Sequence, residues 1–278
     1  MKLPIHLSEI ICLGVIVAVS IALTVRNTQL PVADSATPSG PQANVAMMEP
    51  DTAPVMPNFA DYQNVTQRKH AFYAYMLPRI REANAEVMQQ RQWLLDVAAR
   101  LVGGQSLTSK ELDRVHALEQ HYGLASQGEV VAQVGKLLRH VDIVPASLVM
   151  AQAAKESGWG TSRFAVDGNN FFGIWCFSDG CGLRPARRDA GKTHEVARFD
   201  SVADGVRYYI RMLNSGPAYR ELREIRANAR RQHELAPGDE LAQGLIRYSS
   251  RGVAYVKEIQ NIIQHNNLHR FTIGHLEV

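Results

Sequence analysis

The sequence predicts a mainly α-helical fold of the α+β class, in which helices surround one small β insertion. Apolar residues recur at helical spacing through much of the chain between residues 67 and 264. The stretch 168–199 breaks this pattern, since it is rich in Gly, Asn and aromatic residues and has no 3.6-residue period. Within it, Gly191-Lys192 precede an alternating segment at 195–199, which is typical of a β-hairpin.

A charge-free apolar segment lies near the N-terminus, from Ile10 to Val25, with Lys2 before it and Arg26 after it. It is slightly shorter than the roughly 20 residues that span a bilayer, and no small-residue cleavage site follows it directly. We interpret residues 1–26 as an uncleaved signal anchor, with a cleaved signal peptide as the alternative. We expect the rest of the chain to face the periplasm from the inner membrane, or to be exported to the cell envelope.

Residues 27–60 have the composition of a linker. Six of the twelve prolines of the chain fall between Pro31 and Pro57, mixed with Ala, Ser and Thr. Such a segment has too few large apolar residues to bury a core, so we expect it to be extended.

A helical lead-in is expected at 61–125. Its main helix, at about 67–101, has an apolar stripe that we expect to pack on the domain, although a coiled coil with a partner is an alternative. The stripe consists of Met76, Ile80, Ala83, Val87, Leu94, Val97 and Leu101. Pro78 should kink this helix or divide it in two.

Capping boxes and proline positions indicate where further helices begin. Thr108 with Glu111 and Ser126 with Glu129 each match a capping box, and Pro145 suits the first turn of a helix that runs to about residue 157. Later helices are expected at 202–213, 218–232, 238–247 and 253–264.

Charge and cysteine content exclude some functions. From Arg184 to Arg231 there are twelve Lys/Arg and six Asp/Glu, which could face an anionic polymer or simply cover solvated helix faces. No nucleic-acid-binding motif accompanies these charges, so no nucleic-acid partner is expected. Cys176 and Cys181 form a C-x4-C pair without further metal-ligand residues at suitable spacing, which favours a disulfide over a metal site.

Glu156 is the strongest candidate for chemistry. It ends a mostly apolar helix beside Trp159. Burial and the partial negative charge of a helix C-terminus both raise a carboxyl pKa, so this group could stay protonated near neutral pH. A protonated carboxyl is what a glycosidic oxygen needs in order to leave.

The segment E-S-G-W-G at 156–160, followed by N-N-F-F-G-I at 169–174, resembles the glucosaminidase family of peptidoglycan hydrolases, including flagellar and autolysin types. The order of anchor, linker and helical lead-in resembles the Bax subgroup of that family. The resemblance implies a catalytic domain at 126–270 with a lysozyme-like fold, in which an α-helical lobe faces a small β-hairpin lobe across a substrate groove.

The resemblance also implies roles for residues. Glu156 matches the catalytic acid, and Glu195 occupies the place of a second carboxylate on the hairpin, with Asp200 and Asp204 as rivals. If the acetamido group of the substrate is the nucleophile, Glu195 would only orient the reacting groups. The substrate-binding residues that we expect are Trp159, Asn170, Phe172, Gly173, Trp175, Tyr248 and Tyr255.

The activity that the resemblance implies is an endo-β-N-acetylglucosaminidase acting on the glycan strands of peptidoglycan, without a cofactor or metal. One alternative is a lytic transglycosylase, which would give 1,6-anhydro products. Another is a catalytically silent scaffold that binds the cell wall. The expected partners are peptidoglycan and, through the N-terminal segment, the membrane.

Overall fold

The computed structural model describes residues 55–185 and 194–273, which fall in one compact unit, Thr52–Val278. The predicted anchor at 1–26 lies outside the described residues, as does most of the predicted linker. The described end of that linker departs from the prediction, because Phe59 begins a 3₁₀ turn, Phe59–Asp61, and is buried in the core. Within the two described ranges, no helix combines the length and the apolar character that a bilayer span requires. The described chain is mainly helical with one small sheet, as the sequence predicts.

Helix α1, Val65–Val102, is the main helix of the lead-in. Its N-terminus is capped by Asn64, whose side chain accepts hydrogen bonds from the backbone N–H groups of the first turn. The helix continues through Pro78, so it is not divided into two. Its apolar stripe is buried against α3, α4 and α6, which confirms that the stripe packs on the domain.

Helices α2, Ser109–His121, and α3, Val130–His140, follow α1. The capping box of Thr108 and Glu111 is confirmed, since each residue bonds to the backbone N–H of the other. The box predicted at Ser126 is wrong. Glu129 itself occupies the N-cap position of α3, so it cannot serve as the third helical residue that the box requires, and no side chain caps this helix.

Helix α4, Ala146–Ser157, lies in the core and is buried on nearly all sides, against α1, α8, α9 and α10. This burial explains its small and apolar side chains, since a helix without a solvated face needs no polar stripe. Gly158 ends α4 in the left-handed conformation, at φ 58°. The short helix α5, Arg163–Gly168, was not predicted.

Over the described residues the sheet has three short antiparallel strands: β1, Trp175–Cys176; β2, Gly182–Leu183; and β3, Glu195–Ala197. The order is β1-β3-β2, so the strand that the alternating pattern predicted lies in the centre and pairs with both others. The predicted turn at Gly191-Lys192 lies outside the described residues.

The C-terminal part contains α6, Val202–Ser215; α7, Arg220–Arg231; α8, Gly238–Leu241; α9, Val253–His265; and α10, Arg270–Ile273. The predicted helices at 202–213, 218–232 and 253–264 are confirmed, with small shifts of their ends. The helix predicted at 238–247 is instead the short α8 followed by a 3₁₀ turn, Ala242–Leu245. Ser201 caps α6 through its side chain, which accepts from the backbone N–H of Asp204.

A buried ion network joins α7 to the body of the domain. The carboxylate of Asp142 lies 2.7 Å from Arg230, 3.4 Å from Arg91 and 3.8 Å from Arg226. Burial alone would raise the pKa of Asp142, but the three guanidinium groups hold it below its ordinary value. This network stabilises the position of α7 against α1 and α3.

Candidate active site

A groove of about 660 Å³ runs past the C-terminal end of α4. Six of the predicted site residues line it: Glu156, Phe172, Gly173, Trp175, Tyr248 and Tyr255. The other lining residues are Lys155, Ile174, Tyr208, Met212, Tyr219, Ser249, Ser250 and Arg251. The fold therefore brings together residues that are up to 100 positions apart in the sequence.

Glu156 lies in the last turn of α4 and is partly buried in the wall of this groove. Its burial raises the pKa of the carboxyl, while the hydrogen bond from Tyr255 and the charge of Lys155 lower it to a smaller extent. The result is a pKa above the ordinary value, because burial disfavours the charged form. This is the property that a general acid needs near neutral pH.

The space in front of Glu156 is kept open by Gly173. Its backbone adopts φ 63°, a left-handed conformation that favours glycine. A Cβ at this position would lie 3.7 Å from Oε2 of Glu156 and would occupy room that a ligand could use. Gly173 therefore leaves the space beside the carboxyl of Glu156 open.

A chain of hydrogen bonds holds Tyr255 in front of Glu156. The hydroxyl of Tyr255 donates to Oε1 of Glu156 at 2.7 Å and accepts from Nε2 of Gln152 at 2.9 Å. Oε1 of Gln152 in turn accepts from the hydroxyl of Tyr209. Because Gln152 occupies the acceptor side of the Tyr255 hydroxyl, the proton of that hydroxyl is directed to Glu156.

Gln152 and Tyr209 are site residues that the sequence analysis missed. Gln152 lies four residues before Glu156, so both side chains project from the same face of α4, and this spacing could have identified it. Tyr209 comes from α6, and no local pattern in the sequence connects it with Glu156.

Two pairs of stacked rings form a rigid part of the site. Phe172 stacks on Tyr209 with ring centroids 4.0 Å apart, and Tyr248 stacks on Tyr255 at 5.4 Å. The hydroxyl of Tyr248 donates to the backbone oxygen of Phe172 at 2.7 Å, which joins the two pairs. These contacts fix the wall that carries Tyr255.

Trp175 presents an exposed aromatic surface to the groove. Its side chain is 55% exposed, and its ring stacks on His194 with centroids 4.3 Å apart and an interplanar angle of 11°. A supported indole with one open face is a suitable platform for the apolar face of a sugar ring.

Two predicted substrate-binding residues lie outside the groove lining. Asn170 is buried, and its amide nitrogen donates to the backbone oxygens of Ile174 at 2.9 Å and Ala197 at 2.8 Å. It therefore links residues 170–174, which we name the groove loop, to β3. Trp159 packs edge-on against Phe72 and Tyr73 of α1. Neither side chain therefore lines the groove.

Glu195 also lies outside the groove lining. In β3 it pairs with Cys176, whereas Trp175 pairs with Val196, so the alternation of the strand places Glu195 and Trp175 on opposite faces of the sheet. Its side chain is 7% exposed and accepts a 2.9 Å hydrogen bond from the backbone N–H of Gly182. Of the described residues that line the groove, Glu156 is the single carboxylate.

The two rival carboxylates, Asp200 and Asp204, both lie outside the groove lining. The carboxylate of Asp204 accepts a hydrogen bond from the hydroxyl of Ser201, the N-cap residue of α6, and pairs with Arg207; it does not line the groove. The side chain of Asp200 is exposed and is likewise absent from the groove lining.

Cys176 and Cys181 form a disulfide, with the sulfur atoms 1.99 Å apart. The bond closes the loop between β1 and β2. These sulfurs and the carboxylate of Glu195 lie within 4.8 Å of one another, which is compatible with metal ligation by geometry alone. Metal binding by cysteine requires thiolates, and the disulfide leaves none at this position.

Comparison with known proteins is consistent with this geometry. The model of the glucosaminidase family, described as mannosyl-glycoprotein endo-beta-N-acetylglucosaminidase, matches residues 132–268. Protein bax of Escherichia coli (strain K12) is 32% identical over 212 residues, which cover 76% of this chain and 74% of that protein. No solved structure matches the chain. Since the family match spans the groove and the relative covers most of both chains, the protein belongs to the glucosaminidase family and is a Bax-like member of it.

Proposed function

We propose that this protein is an endo-β-N-acetylglucosaminidase that hydrolyses the glycan strands of peptidoglycan, with Glu156 as its general acid. The observation that carries the proposal is a partly buried carboxyl with a raised pKa at the wall of an open groove. The family match supports a glycosidase acting on N-acetylglucosamine linkages. Peptidoglycan lies outside the cytoplasm, so the proposal includes export of the chain.

In the proposed reaction, Glu156 donates its proton to the glycosidic oxygen as the bond from that oxygen to the anomeric carbon breaks. Tyr255 orients the acid through its hydrogen bond to Oε1. Trp175 stacks on a sugar ring and keeps the strand in register with the acid.

In this proposal the substrate itself stabilises the positive charge that develops at the anomeric carbon. Because the described lining offers no second carboxylate opposite Glu156, the acetamido oxygen of N-acetylglucosamine attacks the anomeric carbon and forms a cyclic intermediate. Glu156, now ionised, takes a proton from the water that opens this intermediate. Glu195 then has a supporting role, in which it holds β2 through Gly182.

A lytic transglycosylase is the second candidate, and the same single carboxylate favours it. In that reaction a hydroxyl of the sugar itself attacks the anomeric carbon, so no water enters and a 1,6-anhydro ring results. The two reactions share Glu156 as the acid and differ in their products.

Product analysis tests the proposal. Purified peptidoglycan is digested with the full-length protein, the products are treated with borohydride, and their termini are identified by mass spectrometry. We expect new reducing N-acetylglucosamine ends, which borohydride converts to alcohols. Anhydro ends would establish the transglycosylase instead, and an absence of new ends would leave the scaffold function.

A further inference from the structure

A depression of about 440 Å³ lies between α3 and α7, outside the groove that contains Glu156. Its charged lining is strongly basic: Lys136, Arg139, Arg220, Arg223 and Arg231 surround a single carboxylate, Glu224. That carboxylate pairs with Arg220 at 3.5 Å. An excess of several positive charges around one concave surface attracts anionic groups.

Two of these cations are free to bind a ligand. Lys136 and Arg139 project from α3 with exposed side chains, and neither forms an ion pair with any other residue of the described chain. Arg223, by contrast, is fixed: it donates to the backbone oxygens of Leu213 and Gly216. The depression therefore combines a cation held by backbone oxygens with two exposed cations that form no ion pair within the described residues.

The titration of His140, which also lines the depression, is consistent with a positive potential there. Burial lowers the pKa of His140 to about 4, and the charges of Arg223, Arg226 and Arg139 contribute in the same direction. His140 is thus neutral at neutral pH, and the positive charge of the site comes from Lys and Arg.

The depression shares residues with a second one, and that second depression borders the active-site groove. The second depression, of about 600 Å³, shares Arg220, Arg223 and Glu224 with the first and adds one cation, Arg247, and one further carboxylate, Glu221. Its lining residues Ala218 and Arg247 directly precede Tyr219 and Tyr248, which belong to the groove wall. A polymer that leaves the groove at this end would pass over the basic side chains.

We propose that the cations of these two depressions, which we name the basic track, bind carboxylates of the peptides attached to the strand that occupies the groove. The basic track consists of Lys136, Arg139, Arg220, Arg223, Arg231 and Arg247. This inference rests on the proposed function, since it takes peptidoglycan as the substrate. The basic track is concave and borders the groove, which favours this ligand over a membrane surface, since a flat surface would need no concavity beside the active site.

The proposal is tested by binding of the full-length protein to insoluble peptidoglycan on ice, measured by sedimentation. We expect the double variant Lys136→Glu/Arg139→Glu to bind about tenfold more weakly than the wild type, because two exposed ion pairs are lost and two repulsions replace them. Peptidoglycan whose carboxyl groups have been amidated should bind the wild type as weakly as the variant binds the untreated polymer.

The matched control is Arg81→Glu/Lys110→Glu, which changes the net charge equally at exposed positions outside the track. Equal binding of the track variant and the wild type, an equal loss in the control, or no effect of amidation would overturn the proposal. So would a loss in the track variant only on phosphatidylglycerol vesicles, which would indicate a membrane surface. The sedimentation assay measures binding and does not depend on cleavage. A failure of the proposed activity is detected by the product analysis instead, so the two failures can be distinguished.

Discussion

The hydroxyl of Tyr255 donates a 2.7 Å hydrogen bond to Oε1 of Glu156, although the two residues are 99 positions apart in the chain. Tyr255 is buried and lies on α9, while Glu156 lies in the last turn of α4, so the packing of these two helices sets the geometry of the acid. The bond also lowers the pKa of Glu156 and so offsets part of the rise that burial causes. Tyr255 thus controls both the orientation and the titration of the proposed acid.

Replacement of Tyr255 should change the pH profile of the enzyme in a defined direction. In Tyr255→Phe the hydrogen bond that lowers the pKa of Glu156 is lost, so its pKa rises further and the alkaline limb of the activity profile moves to higher pH. Turnover at the optimum should fall, because the acid is less well oriented. The matched control is Tyr248→Phe, whose hydroxyl bonds to Phe172 rather than to Glu156. An unchanged or lowered alkaline limb in Tyr255→Phe would contradict this account.

Variants of Glu195 distinguish a structural role from a catalytic one. Glu195→Gln keeps an oxygen that can accept from the N–H of Gly182, so we expect it to retain most of the activity and stability of the wild type. Glu195→Ala leaves that N–H without its acceptor and should cost roughly 1–3 kcal/mol of unfolding free energy. Activity assays and thermal unfolding of both variants test this. A loss of about 100-fold in turnover for Glu195→Gln at unchanged stability would instead indicate a positioned acid or base.

Removal of the buried carboxylate of Asp142 should destabilise the fold strongly. Asp142→Asn leaves three buried or partly buried arginines without their counter-ion, at a cost of about 3–5 kcal/mol. The pKa of Asp142 is lower in the folded protein than in the unfolded chain. Its contribution to the free energy of unfolding is therefore fully present above the unfolded-state pKa and is lost as the pH falls through the folded-state pKa. The difference from the wild type should therefore shrink at acid pH.

Denaturant unfolding measured across this pH range tests that prediction. Glu82→Gln is the control, because Glu82 is 58% exposed in its pair with Arg207 and should contribute less than about 1 kcal/mol. Comparable losses in the two variants would show that the buried network adds no more stability than a surface pair.

Much of the helical architecture could be predicted because its causes are local. The stripe of α1 and the capping box of α2 depend on residues three or four positions apart, and both are present in the structure. The errors arose where several local patterns compete. Ser126 and Glu129 fit a capping box, but the helix begins only at Val130, three residues later than the box predicts, and Glu129 takes the N-cap position itself.

The site residues that belong to one sequence motif could be predicted. Those that reach the site only through the packing of distant helices could not. Glu156 and Gly173 follow from a compact motif and from helix-end chemistry. Tyr209 reaches the site only because α6 packs beside α1 and the groove loop, a long-range arrangement that leaves no spacing pattern in the sequence. The orientation of Glu195 depends on strand register, and a shift of one residue would turn it to the face of Trp175.

The central claim is that Glu156 supplies the proton for cleavage of the glycan, and its replacement by glutamine tests this most directly. Glu156→Gln preserves shape and removes only the transferable proton, so release of reducing ends from peptidoglycan should fall at least about 100-fold. The control Glu234→Gln changes an exposed carboxylate in the loop before α8 and should retain wild-type activity. A folded Glu156→Gln protein that releases reducing ends at close to the wild-type rate would contradict the claim.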